Sequence, residues 1–134
     1  ARGGNSINPS RVVLYLPWET YEQDAIVLGN RIRRPPYESW MEDAAKELHP
    51  AWDRVTRGGR ALHTRNIAIV HGAPLCFAWP KPGGRTQGSR MGMQYAEKQN
   101  IPLLELSKPY VREQVAKVLD IEPHKRSLQT QLSV

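Results

Sequence analysis

The sequence predicts an α/β protein built as a single Rossmann-like domain, an open and mostly parallel sheet with helices on both faces. Three observations carry that expectation. PLCFAW and IPLLEL are short apolar runs of strand character, and a segment with helical spacing separates them. Strand, helix, strand at this spacing is a parallel βαβ unit, because parallel neighbours need a crossover of a dozen residues or more. Further helix-forming segments lie on either side of it, and parallel sheets are stable when both faces are covered.

The chain has 134 residues, near the usual size of one domain. We place that domain at residues 1–120 and read 121–134, which has no period, as a flexible tail. ARGGNSINPS is turn-like, and RVVLYL, Arg11 to Leu16, is a strand that ends at Pro17. Pro17 to Pro36 has no sustained period and three prolines, so it is expected to be a long loop with at most one helical turn. Tyr37 to Leu48 places Trp40, Met41, Ala44, Ala45 and Leu48 at helical spacing. Pro50 suits a second helix start, and the Gly58-Gly59 pair is expected to break that segment, with Arg60 to Val70 forming its second half. The elements that follow are a strand at Pro74 to Trp79, a helix from Gln87 or Gly88 to Gln99 and a strand at Ile101 to Leu106. A last helix, Pro109 to Leu119, carries Val111, Val115, Val118 and Leu119 on one apolar face.

Composition narrows the function. No apolar run reaches the roughly 18 residues a membrane span needs, and no signal-peptide pattern opens the chain, so a soluble, cytoplasmic protein is expected. Cys76 is the single cysteine, which excludes an internal disulfide and any zinc site built on cysteines. It lies inside an apolar strand, where cysteine packs as a small hydrophobe. His49, His63, His71 and His124 lack metal-ligand spacing, so we expect no metal, and we expect no cofactor. The 19 Lys and Arg outnumber the 13 Asp and Glu, with the excess at the two ends of the chain. That balance favours anionic partners.

The segment PKPGGRTQGSR between the third strand and its helix is where such a partner would sit. Ligands of α/β sheets bind beyond the carboxyl ends of the strands, and a helix N-terminus presents free N–H groups and a partial positive charge to an anion. Gly83, Gly84 and Gly88 allow close approach, Thr86 and Ser89 add hydroxyls, and Arg85 and Arg90 add charge-assisted bonds. Neither a Walker A loop nor GxGxxG is present, and a plain glycine turn capped by Ser89 is the competing structural reading. Trp79, at the strand end, and Trp18 are the candidates for stacking on a base.

HPAWDRVTRGGRALHTRN, the strand with Cys76 and Trp79, GGRTQGS before a helix, and LYLPW together resemble a phage and prophage group of Rossmann-like proteins. That group is related to the SLOG-type superfamily of DNA-processing protein A and the Lonely Guy phosphoribohydrolases. The likeness covers about residues 11–106. It implies a nucleotide-binding domain whose glycine loop contacts phosphate, with His63, Arg65 and Asn66 facing that loop. Such domains open with a strand, a glycine turn and a helix; here ARGGNS meets the Arg11 strand with no room for that helix, so the element is lost or lies outside the segment. The hydrolases also carry a glutamate just after the glycines, where this chain has Gln87, Ser89 and Met91. The expectation is therefore a nucleotide- or nucleotide-signal-binding protein with no catalytic residue. Three alternatives stay open: a module for single-stranded nucleic acid, a nucleotide hydrolase in which Glu97 or Glu105 supplies the carboxylate, and an interaction protein that keeps the fold and has lost the ligand. A homo-oligomer is compatible with each.

Overall fold

The structure is a computed structural model that describes residues 8–80 and 87–119. The turn-like opening through residue 7, the loop 81–86 and the expected tail 121–134 lie outside the described residues. The architecture is mixed α/β. In chain order it comprises β1 (Val13–Tyr15), β2 (Arg31–Arg33), α1 (Ser39–Leu48), α2 (Arg57–Val70), β3 (Cys76–Ala78), α3 (Gln87–Lys98), β4 (Leu103–Glu105) and α4 (Pro109–Leu119). Single 3-10 turns stand at Pro9–Arg11, Gln23–Ala25 and Trp52–Arg54.

The four strands form two separate parallel pairs, β1 with β2 and β3 with β4. Among the described residues no ladder joins the pairs. In the first pair Val13 lies opposite Arg31 and Tyr15 opposite Arg33; in the second Cys76 lies opposite Leu103 and Ala78 opposite Glu105. Each ladder runs on by one bond at either end, from Arg31 N to the Val12 carbonyl and Leu16 N to Arg33, and from Cys76 N to Pro102 and Leu106 N to Ala78.

β2 corrects the expectation of an uninterrupted loop from Pro17 to Pro36. Three residues with arginine at both ends carry no apolar alternation, and the strand is fixed instead by its ladder to β1 and by Tyr37, whose hydroxyl reaches the carbonyls of Leu16 (2.7 Å) and Arg33 (3.1 Å). Arg31 and Arg33 are exposed on this strand, and exposed charges on an unpaired edge discourage pairing with another chain.

The helices build the core. Ala45 of α1, Trp52 of the 3-10 turn, Ile67 and Val70 of α2, and Met91, Tyr95 and Ala96 of α3 form one buried cluster, with Trp40, Met41 and Leu48 against it. α2 begins at Arg57, earlier than expected, and runs through both glycines. Thr56 caps it by accepting a hydrogen bond from Gly59 N (3.1 Å), which satisfies one orphan donor of the first turn. Gly59 belongs there for a second reason: a Cβ would come within 2.8 Å of Val55 Cγ1. Gly72, at φ +73°, ends the helix in the left-handed region.

α3 ends in a Schellman motif with Asn100 left-handed at φ 57°: Ile101 N donates to Ala96 O (2.8 Å) and Asn100 N to Glu97 O (3.1 Å). That turn aims the chain into β4 and completes the expected βαβ unit. On α4, Val111 and Ala116 are buried, but Val118 is 85% exposed and Leu119 58%, so the expected apolar face is only half covered.

Candidate functional site

At the carboxyl end of β3 a cleft of about 220 Å³ is lined by Asn66 and Ile69 from α2, by Cys76 through Trp79, and by Ser89, Gly92 and Met93 from α3. It forms because the βαβ crossover sets the first turn of α3 beside the strand it follows, while α2 packs against α3 through Ile67, Val70 and Met91. Three of the residues singled out in the sequence, Asn66, Trp79 and Ser89, thus share one cleft.

Gly83, Gly84, Arg85 and Thr86 lie outside the described residues; Gly88 falls in the first turn of α3, and Arg90 is exposed one residue beyond Ser89. Asn66 Oδ1 accepts a hydrogen bond from Arg65 Nε (3.0 Å). Arg65 itself turns to the next cleft, about 440 Å³, which is lined by β1, Tyr21 and Ile26 and shares Ile69 with the first. There its guanidinium lies 5.5 Å from the Tyr21 ring centre and Nη1 donates to the Tyr15 carbonyl (3.4 Å). Trp18 packs edge-on against Tyr21, with ring centres 5.1 Å apart, and does not line the Trp79 cleft.

His63 is buried at 7% exposure against His49, with ring centres 5.0 Å apart, and against Trp52, and it does not line the cleft at Trp79. The reason is axial. His63 stands nearly one turn before Asn66, where α2 meets the connection from α1 and not the end of β3. Burial, and then the neighbouring His49, push its pKa down, and its Nδ1 has no hydrogen-bond partner among the described residues.

Trp79 is 53% exposed, and one face of its indole is covered by the guanidinium of Arg112 at 5.0 Å. Arg112 is anchored by a 2.6 Å bond from Nη1 to the Leu106 carbonyl. Sequence reasoning did not reach this residue, since it sits on a distant amphipathic helix and no local spacing joins it to Trp79. A cation over one face of the indole rigidifies it and leaves the other face for a planar group.

Burial raises the pKa of the Cys76 thiol, which disfavours the thiolate, and the residue packs against the core as expected. Among the described residues no acidic side chain lines the cleft; Glu97 is near the far end of α3, and Glu105 pairs with Lys108 at 3.6 Å. Among the described residues no group of three or more His, Cys, Asp or Glu side chains could hold a metal ion, and no helix is long and apolar enough to cross a membrane. Comparison with protein-family models, curated proteins and solved structures returns no match to this chain.

Proposed function

We propose that this chain is a Rossmann-like protein that binds a nucleotide or a nucleotide-derived signal, of the SLOG type found in phages and prophages. In this reading the two parallel pairs are halves of one nucleotide-binding sheet. The phosphate sits on the loop Gly83 to Ser89 and the first turn of α3, and the base lies on the free face of Trp79. The observation that carries the proposal is the shared cleft: an amide (Asn66), a hydroxyl (Ser89) and an exposed indole (Trp79) converge at the carboxyl end of a βαβ strand. Backbone N–H groups and the dipole of α3 favour an anion there. Binding without hydrolysis is the reading supported by the described lining, which carries an amide, a hydroxyl and an indole.

Equilibrium binding of nucleoside mono- and diphosphates tests this reading. Saturable binding with a weak dependence on salt is expected, and Asn66→Asp, which puts a negative charge where the phosphate would lie, should weaken it at least about tenfold, or about 1.4 kcal/mol. If nucleotides fail to bind while a single-stranded oligonucleotide binds with a steep salt dependence, the nucleic-acid reading replaces this one, because counterion release scales with the number of phosphates neutralised.

A further inference from the structure

A third cleft, of about 460 Å³, lies between the first turns of α1 and α2. We propose that it is a binding site for a zwitterionic small molecule, one that carries a carboxylate or other anionic group and an amine. The juxtaposition behind the proposal is of two arginines on α2, Arg57 and Arg60, with two glutamates at the start of α1, Glu38 and Glu42, around one apolar-walled cavity.

The charges are arranged by helix geometry. Arg57 and Arg60 are three residues apart on α2, and Glu38 and Glu42 four apart at the start of α1, so each pair shares a face of its own helix. Among the described residues none of the four belongs to an ion pair, although opposite charges line the same cavity. Arg60 is held in place: its guanidinium lies 5.2 Å from the Trp52 ring centre, Nη2 donates to the Trp52 carbonyl (3.0 Å), and Nε has no acceptor among the described residues. Its charge is therefore fixed in position and is not neutralised by any described carboxylate. Arg57 occupies the first position of α2, where the helix dipole disfavours a cation, and no acidic residue stands in that turn to offset it.

The lining carries two positive and two negative side chains, so its net charge offers a simple anion or a simple amine no field to follow. A ligand with both signs can satisfy both sides. Pro17, Pro35, Pro36 and Val55 supply apolar wall for its body, and a cavity of this size is within the range that small-molecule sites occupy. The cavity shares no lining residue with the cleft at Trp79, so this site stands or falls independently of the nucleotide proposal.

The test uses ε-aminocaproate as the zwitterion, with hexanoate and hexylamine as probes that each lack one charge, followed by two-dimensional amide NMR of the whole chain. Saturable shifts at Ser39, Glu42, Arg57 and Thr64 are expected with the zwitterion, and binding at least about tenfold weaker with either single-charge probe. Arg57→Gln and Glu42→Gln, both at exposed positions, should each weaken the zwitterion about tenfold, whereas Glu42→Gln should leave hexanoate unchanged or tighter. An absence of saturable shifts in this cleft, hexanoate binding as tightly as the zwitterion, or shifts centred on Asn66 and Ser89 would each overturn the proposal.

Discussion

The two parallel pairs of this molecule are closed in opposite ways. β3 and β4 are joined through a helix that reaches into the core, with Met91, Tyr95 and Ala96 of α3 all buried. β1 and β2 are joined by a connection whose described structure is turns and one 3-10 helix, and most of its residues are exposed. A helical crossover couples its strands to the rest of the protein through buried apolar area, worth roughly 25 cal/mol per Å². The β1–β2 pair depends more on individual polar contacts, chiefly the Tyr37 hydroxyl at its carboxyl end. The cleft at Trp79 grows from the first kind of closure and the Arg65 cleft from the second, so the former should be the more rigid platform.

The largest expected effect breaks the helical closure. Met91→Ala removes a fully buried side chain from the centre of the cluster and should cost about 2–5 kcal/mol, seen as a lower denaturation midpoint for the whole chain. A smaller effect should be confined to the other pair. Tyr37→Phe removes one hydroxyl shared by two carbonyls and should cost about 1 kcal/mol. Hydrogen exchange should then quicken at the amides of Leu16 and Arg31 and stay unchanged at Cys76 and Leu106; equal acceleration at all four would dissolve the distinction between the pairs.

The smallest effect concerns acid. The pKa of His63 is pushed below its ordinary value of 6.5, so the folded state favours the neutral ring. Stability from this residue is full above pH 6.5 and is lost as the pH falls below that value toward the lower folded pKa. Thermal midpoints should decline over that acid range, and His63→Gln should flatten the decline. An unchanged slope in the variant would assign the acid sensitivity to other groups.

Legibility in the sequence follows the same divide. The βαβ unit was readable because apolar runs flank a segment of helical spacing. β2 was not, because its two arginines face solvent and what defines it is its ladder to β1 and the Tyr37 hydroxyl that ties Arg33 to Leu16. Gly58 and Gly59 signalled a break, yet the Thr56 cap and the close approach of Val55 make that turn the start of a helix. The site divided similarly: Trp79 and Ser89 were singled out from their places at the third strand and its helix and Asn66 from the family resemblance, and the three line one cleft. The burial of His63 against His49 and the stacking of Arg112 on Trp79 are tertiary contacts that no local pattern encodes.

The most direct test of the central claim is native mass spectrometry of the protein purified from a cell lysate, with the released small molecules identified, for the natural chain and for Ser89→Glu. A glutamate in the first turn of α3 is favourable to the helix dipole but repels a phosphate bound there. The account predicts a nucleotide on the natural chain and none on the variant, with the variant's thermal midpoint unchanged or higher. A natural chain that carries no nucleotide even after incubation with a nucleotide pool, or a variant that retains its nucleotide, would contradict it.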